Sequence, residues 1–266
     1  MLQLNSENYF SPEAMQQYFS VSQYKDFMGS PGRKGCEAMA MAKIRGEWEQ
    51  EMTLPLLVGS YVDAHFEENL HVFKAQHPEI MTQRMELKAA YKKANEIIAR
   101  IEEDPLFMRT LSGEKQRIFT GEIFSVTWKC KVDSIDVDRF ITDLKVMAEI
   151  RKAHWVKDYG YMTFIQYWGY DIQAAVYQEL VRQSVGKKLP FFISAASKEP
   201  VTDIAVIAFF QHELDTILST VEKNIERIVK LKAGEIEPDQ CGSCDYCKTV
   251  QILTRPIHHS ELILDI

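Results

Sequence analysis

The sequence predicts an α/β (or α+β) fold in which one mixed sheet of about five strands is flanked by helices. Two groups of strand-like segments support this prediction: three near 115–122, 124–136 and 139–147, and two more at 189–196 and 202–210. The segments are rich in β-branched and aromatic residues and are bounded by turn residues. Helical patterns precede, separate and follow the two groups, so the predicted core order is αβββαββ, with helical additions at both ends.

The predicted helices follow one another along the chain. Five segments are predicted to be helical. Most have apolar residues at helical spacing, and one has the pattern of two helices around a Gly/Pro loop. They are 20–43 (two helices around a Gly/Pro loop), 54–70, 85–103, 163–183 and about 213–232.

The length of 266 residues is enough for one substantial core. We expect a single domain over 1–266, with a helical N-terminal part to about residue 110, a core over about 111–211 and a C-terminal helix and cysteine-bearing tail from about 212. The net charge of -7 excludes a surface coated in basic charge. It still permits a basic channel beside a carboxylate-rich metal site. The sequence has no 18-residue apolar run and no secretory leader pattern, so we expect an intracellular protein whose five cysteines are thiols or metal ligands.

The stretch from Thr127 to Met147 carries the most informative chemistry. Asp133 lies on the second predicted strand, and Asp143-Leu144-Lys145 lies on the third. Residues two apart on a strand share a face, so Asp143 and Lys145 are presented together while Leu144 faces the other way. Two carboxylates and an ammonium can bind a hard divalent cation and hold a phosphate beside it. This is the chemistry of phosphodiester hydrolysis, although an Asp-x-Lys triplet alone is expected about once by chance in such a chain.

The hairpin register can be predicted from this requirement. If Asp133 is to face Asp143, the two positions must pair directly, which requires a three-residue loop at 137–139. A two-residue loop would pair Asp133 with Thr142 and turn its carboxylate away, because a slip of one residue reverses the face.

Two further motifs complete an ordered series. Gly59-Ser-Tyr-Val-Asp-Ala-His65 precedes the strands, and Gln173-Ala-Ala-Val-Tyr177 follows them on the predicted helix. In this order the motifs resemble the PD-(D/E)xK nuclease superfamily, and most closely the branch of exodeoxyribonuclease VIII (RecE-like) and RecB-type nuclease domains. The resemblance implies a restriction-endonuclease-like core and a metal-dependent deoxyribonuclease.

The resemblance and the chemistry together imply roles for the site residues. Asp133, Asp143 and the backbone carbonyl of Leu144 would bind Mg²⁺ or Mn²⁺, and His65 would add an imidazole ligand that favours Mn²⁺ somewhat. Lys145 would orient or help deprotonate the attacking water and offset charge in the transition state. Either one ion or two could operate.

The aromatic and amide residues of the 163–183 helix allow two interpretations. Gln173 and Tyr177, one turn apart, either serve packing or contact the DNA backbone near the metal, and the motif series favours the second. Tyr167, Trp168 and Tyr170 either stack on unpaired bases or pack against the sheet.

Three cysteines form a C-x2-C-x2-C run, Cys241-Gly-Ser-Cys244-Asp-Tyr-Cys247. Such close spacing predicts a metal site rather than packing. By resemblance to iron–sulfur nucleases of the superfamily, Cys36 would be the fourth ligand of a [4Fe–4S] cluster that joins the two ends of the domain.

The cysteine pattern departs from that of the iron–sulfur nucleases. The last spacing is shorter, and Ser30-Pro31 stands where Cys-Pro is customary. A Zn²⁺ site therefore remains an alternative, with Cys36, His258 or His259 as fourth ligand. Cys130, on the second strand, is predicted to be a core residue.

The function that this resemblance implies is an exonuclease of phage or prophage recombination. It would digest linear duplex DNA from 5′ ends and pass the remaining single strand to an annealing protein. A Cas4-like nuclease that acts on single strands or flaps is the alternative within the same class. A non-catalytic nuclease-fold DNA-binding protein is the alternative from another class. The sequence leaves open the polarity, the strandedness of the substrate and whether the protein forms a homo-oligomer.

Overall fold

A computed structural model describes residues 1–259, so the last seven residues of the predicted domain, 260–266, lie outside the described part. The helices in the described part are α1 (Pro12–Gln17), α2 (Val21–Met28), α3 (Glu37–Arg45), α4 (Leu54–Phe66), α5 (Leu70–Gln76), α6 (Ala89–Glu102), α7 (Pro105–Thr110), α8 (Phe164–Tyr167), α9 (Tyr170–Val185), α10 (Gln211–Ala233) and α11 (Asp245–Val250). The strands are β1 (Gly29–Ser30), β2 (Arg33–Lys34), β3 (Glu114–Ile123), β4 (Val126–Asp136), β5 (Phe140–Met147), β6 (His154–Val156), β7 (Gly160–Met162), β8 (Phe191–Ser197) and β9 (Ile204–Ala208).

The central sheet has five strands in the order β3-β4-β5-β8-β9. The pairs β3/β4, β4/β5 and β8/β9 are antiparallel, whereas β5 and β8 are parallel. A parallel pair needs a crossover connection, and α8 and α9 lie in it. The predicted fold class, a mixed sheet flanked by helices with a restriction-endonuclease-like core, is confirmed.

Two apolar clusters form where helices pack on the sheet. The larger contains side chains from α2, α3, α9 and α10, together with sheet residues such as Trp128 and Ile141. The second contains side chains from α4, α6 and α7, with Leu144 and Ala196 from the sheet. Ile141 and Leu144 lie three residues apart on β5 and therefore point to opposite faces. Asp143 and Lys145, which share the strand parity of Ile141, point away from the Leu144 side.

The hairpin between β4 and β5 has the predicted loop. Asp136 pairs with Phe140 and Ser134 pairs with Thr142, which leaves residues 137–139 as a three-residue connection. The same register places Asp133 opposite Asp143 at the next position. The ladder ends just before that position.

The predicted helix at 163–183 is two helices. Thr163 and Gln166 form a capping box that starts α8, and the chain turns at Gly169 before α9 begins. Gly169 has a φ of 64°, in the left-handed region where a side chain is unfavourable. The break gives α9 its own direction, and Gln173 and Tyr177 lie on this second helix.

Residues 148–162, for which the sequence analysis gave no element, contain the β6–β7 hairpin. Trp155 pairs with Tyr161, and Asp158 and Gly160 in the turn have positive φ. A short run of alternating aromatics around an Asp-Tyr-Gly turn was the signal available in the sequence. Within residues 1–259, no helix has the length and apolarity that a membrane span requires.

Candidate functional site

A cavity of about 1030 Å³ contains most of the predicted catalytic residues. Its wall is formed by side chains from α2, α3, α4, β4, β5 and α9. The predicted residues that line it are Asp133, Asp143, Leu144, Lys145, Gln173 and Tyr177. The register of the β4–β5 hairpin and the direction of α9 bring these side chains to one place.

Asp143 is the most enclosed acid of the site, with 3% of its surface exposed. The Lys145 ammonium forms an ion pair with Oδ2 of Asp143. Gln173 Nε2 donates a hydrogen bond of 2.5 Å to Oδ1 of the same carboxylate. The Lys145 ammonium also lies 5.1 Å from the centre of the Tyr170 ring. Burial alone would lower the pKa of Lys145, but the carboxylates of Asp143 and Asp133 outweigh it and raise that pKa above its usual value. Lys145 is therefore an ammonium at neutral pH.

Asp133 is held by the backbone of the neighbouring strand. Its Oδ2 accepts a hydrogen bond of 2.9 Å from the N–H of Leu144, and its Oδ1 accepts one of 3.3 Å from Gln116 Nε2. Burial, followed by the charge of Asp143, raises the pKa of Asp133 to about 7. Two enclosed carboxylates on adjacent strands, each within the field of the other, favour a cation between them.

Asp63, on α4, is a site residue that the sequence analysis missed. It lines the cavity along with Gly59 and Ser60 from the same helix. Burial raises its pKa well above the usual value, and the charge of Asp133 adds to this. The sequence contained a signal for this placement, because Asp63 lies one helical turn after Gly59 and therefore on the same side of α4. A third carboxylate therefore points at the Asp133–Asp143 pair.

The structure does not bring His65 to the cavity. Its Nε2 lies 2.8 Å from Oε1 of Glu102 on α6, so the imidazole faces the helix pair rather than the sheet. Positions two residues apart on a helix differ by about 200°, so Asp63 and His65 cannot face the same way. Of these two residues of α4, Asp63 lines the cavity and His65 does not.

The donor set fits a hard divalent cation. Three carboxylates, from Asp63, Asp133 and Asp143, face one another, and two of them have pKa values raised in part by that proximity. Beside them, the buried Oε1 of Gln116 accepts no hydrogen bond from any described residue. Oxygen donors of this kind suit Mg²⁺ or Mn²⁺. Without an imidazole in the set, the expected bias toward Mn²⁺ has no structural basis.

Tyr177 lies one turn beyond Gln173 on α9 and lines the cavity. Its ring packs edge-on against Phe191, with 6.4 Å between centroids. Burial raises the pKa of Tyr177 well above its usual value, so the phenol is neutral. It is thus a hydrogen-bond donor or acceptor at the cavity wall and not a charged group.

Basic side chains line the cavity although the chain as a whole carries a net charge of -7. Besides Lys145, they are Lys25, Lys43, Lys129, Lys131, Lys152 and Lys198. Lys25 Nζ donates to the carbonyl of Trp168 at 3.1 Å, and burial, with the charge of Lys145, lowers the pKa of Lys25 to about 8. This distribution fits a polyanion that enters a cavity lined by both lysines and the acidic residues of the site.

The four cysteines of the predicted metal site lie together. The Sγ atoms of Cys36, Cys241, Cys244 and Cys247 all lie within 4.8 Å of one another. Cys36 and Cys247 are buried, and their Sγ atoms are 3.5 Å apart. Four thiols at these distances fit a tetrahedral metal ion or an iron–sulfur cluster.

The surroundings of the thiols explain how Cys36 reaches the C-terminal run. The Arg227 guanidinium on α10 binds both Glu37, the residue after Cys36, and Asp239, just before the cysteine run. The N–H and hydroxyl of Ser243 donate to Cys241; they outweigh the effect of burial and lower the pKa of that thiol to about 6. Burial instead raises the pKa of the Cys36 thiol, and it raises the pKa of the Cys244 thiol to about 12.

The alternative ligands His258 and His259 do not belong to this group of the described residues, so the structure favours Cys36 as the fourth member. Cys130 lies apart from the other cysteines. It is fully buried in the larger apolar cluster, as predicted.

A five-stranded mixed sheet with Asp133, Asp143 and Lys145 in one cavity defines a PD-(D/E)xK nuclease fold. Residues 20–250 match the family described as "PDDEXK-like domain of unknown function (DUF3799)", and the chain belongs to that family. The predicted membership of the PD-(D/E)xK superfamily is confirmed.

The chain is also similar to a solved structure over its whole length. This is the crystal structure of a Eubacterium rectale protein named "Putative exonuclease". The two share 52% sequence identity, the match covers 100% of each chain, and the TM-score is 0.97. No curated protein shows significant similarity to the chain.

Proposed function

We propose that this chain is a divalent-metal-dependent deoxyribonuclease that hydrolyses the phosphodiester bonds of linear DNA from its ends. The proposal rests on one observation: Asp63, Asp133, Asp143 and Lys145 line the same cavity, together with several further lysines. The name of the similar Eubacterium rectale protein supports the exonuclease assignment.

The residues of the site have separate tasks. The carboxylates of Asp63, Asp133 and Asp143 would hold one or two divalent ions, and such ions would supply Lewis-acid stabilisation of the phosphate oxygens and an activated water. The backbone carbonyl of Leu144 is a proposed further ligand. Lys145, held as an ammonium by Asp143, donates hydrogen bonds to the attacking water or the phosphate and offsets charge in the transition state.

The α9 residues position this machinery. Gln173 holds Asp143 Oδ1, so the carboxylate is fixed from α9 as well as by Lys145. Tyr177 offers its neutral hydroxyl to the DNA backbone at the same wall of the cavity. Such fixed donors act without reorganisation during the reaction.

The proposed substrate and biological role follow from the resemblance noted in the sequence. We propose 5′ to 3′ resection of linear duplex DNA in phage-type recombination, with a single-strand annealing protein as partner. A Cas4-like action on single strands or flaps is the alternative within the same chemistry. The thiol cluster of Cys36, Cys241, Cys244 and Cys247 is proposed to hold a [4Fe–4S] cluster or Zn²⁺. Anaerobically purified protein that is brown and contains iron identifies the first; colourless protein with one zinc per chain identifies the second.

The test is digestion of end-labelled linear, nicked and circular DNA with Mg²⁺ or Mn²⁺. Linear DNA is expected to be degraded while closed circles are spared, and the released label gives the polarity. Asp143→Asn should lower the rate by about 10³-fold or more. Asp138→Asn, an exposed acid in the loop of the same hairpin, is the matched control and should digest normally. DNA binding without digestion by the wild-type protein would instead favour the non-catalytic DNA-binding alternative.

A further inference from the structure

The β6–β7 hairpin lies at the edge of the catalytic cavity. It follows β5, and the connection between them contributes Glu149 and Lys152 to the cavity wall. His154, the first residue of β6, lines the cavity as well. The base of the hairpin is therefore part of the path that leads to Asp143 and Lys145.

The two faces of this hairpin have different surroundings. His154 stacks on Tyr167 of α8, with ring centroids 4.1 Å apart and 18° between the planes, and so faces the body of the protein. Adjacent residues on a strand point to opposite faces. Trp155 and its cross-strand partner Tyr161 therefore occupy the other face, where their rings meet at 5.2 Å between centroids.

The outer face is strongly exposed. Trp155 is 67% exposed, Tyr161 is 76% exposed, and Tyr159 in the turn is 67% exposed. Aromatic side chains grouped on a protruding ribbon mark an interaction surface, since their burial on binding is favourable. Among residues 1–259, none covers this pair of rings.

The charge near the rings identifies the chemistry of the partner. Residues 151–162 contain three basic side chains and one acid, Asp158. Arg151 is paired with Asp203 and Lys152 with Glu149, whereas the exposed Lys157 forms no ion pair with a described residue. Two exposed flat rings beside a cation are a pattern that binds unpaired bases by stacking and their phosphates by charge.

We propose that this hairpin separates the two strands at a DNA end, an inference that rests on the proposed nuclease function. The strand to be cut passes through the cavity, past Lys152 and the edge of His154 that lines it, toward Asp143. The displaced strand passes along the outer face, where its unpaired bases stack on Trp155 and Tyr161. The occupant of the aromatic face is thus single-stranded DNA, and the substrate class of the enzyme is a duplex end that must be opened before cleavage.

The experiment compares two substrates for one variant. Trp155→Ala/Tyr161→Ala is tested on a blunt linear duplex and on the same duplex with an unpaired fork at its end. Loss of base stacking should slow digestion of the blunt duplex by about tenfold or more, since stacking is worth about 1–3 kcal/mol per base. The fork removes the need for separation and should restore a rate close to that of the wild type. Phe210→Ala, a change at a 71% exposed aromatic outside the cavity, is the matched control.

Binding gives a readout that does not require cleavage. In Ca²⁺, the wild-type protein should increase the fluorescence of a 2-aminopurine placed next to the blunt end, and the double variant should not. Opening of the end in Ca²⁺, together with no digestion in Mg²⁺ or Mn²⁺, would contradict the proposed nuclease function and still support the hairpin role.

Three results would overturn the hairpin proposal. One is an equal loss on blunt and forked DNA, which would mean that the hairpin only supports the active site. Another is unchanged digestion and fluorescence on both substrates. The third is a change of molecular mass in analytical ultracentrifugation on substitution, which would show that the rings form an interface between copies of this chain.

Discussion

The carboxylate site and the thiol cluster are both candidate metal sites, but the chain builds them in opposite ways. Asp133 and Asp143 lie on two adjacent strands of a single hairpin, and their side chains reach a cavity of about 1030 Å³. Cys36 and Cys247 are 211 positions apart in the sequence, and both are buried. The first site is local and accessible, whereas the second joins distant parts of the chain in a closed group.

The difference indicates a division of tasks. Hard oxygen ligands with open space around them allow a metal to exchange water and bind a phosphate. Four thiols can fill the coordination shell of a metal by themselves, and the binding free energy of such a site contributes to folding. The thiol cluster would hold α3 next to α11, and α3 in turn contributes to the wall of the cavity through Lys43 and Ile44.

The sharpest test of this comparison is chelation. Excess EDTA should stop digestion of linear DNA completely, and excess Mg²⁺ should restore it, because the cavity metal exchanges freely. The metal bound by the four thiols should stay with the protein through the same cycle. Digestion assays and elemental analysis of the desalted protein measure the two outcomes. Loss of both metals in one step would contradict the division into an exchangeable and a closed site.

Removal of the Asp63 carboxylate on α4 is expected to have the next largest effect on the digestion rate. Asp63→Asn should lower the digestion rate by on the order of 10²-fold and raise the Mg²⁺ concentration needed, because one charged ligand is lost. His65→Ala, two residues along the same helix, is the matched comparison and should leave the Mg²⁺ requirement unchanged. The opposite result, with His65 critical and Asp63 dispensable, would restore the original prediction from the sequence.

Cys36→Ser is expected to have the smallest effect on the rate of DNA digestion. It should remove metal from the thiol cluster and lower the free energy of unfolding by about 2 kcal/mol or more, since a structural metal site is lost. Cys130→Ala, at a buried cysteine outside the cluster, should keep the metal. Chemical denaturation and elemental analysis test both. Digestion by Cys36→Ser at low temperature, where the protein remains folded, should stay near the wild-type rate.

The hairpin is the part of the site that sequence reasoning predicted in most detail. The strand period places Asp143 and Lys145 together, and the demand that Asp133 oppose Asp143 predicts the three-residue loop at 137–139 that the structure has. Strand alternation and loop length are local properties, so they can be inferred from neighbouring residues alone.

Helical parts of the site were harder to predict. The choice between Asp63 and His65 depends on which side of α4 faces the sheet, and that is decided by packing of Tyr61 against α5 and α6. Both sides of the helix carry a residue that can bind a metal, so the motif alone could not decide. The prediction of one helix over 163–183 likewise missed the break at Gly169, where α8 has ended and α9 begins.

The sequence by itself determined the mixed sheet and the β4–β5 hairpin, because these depend on periods of two and 3.6 residues. The superfamily came from the resemblance of an ordered motif series to a known family. The tertiary structure decided that Asp63 rather than His65 lines the cavity, that Cys36 rather than a histidine lies with the other three thiols, and that Trp155 and Tyr161 stand exposed on the hairpin beside the cavity. Each of these depends on how separate elements pack, and packing between distant segments is not encoded in the spacing of any one motif.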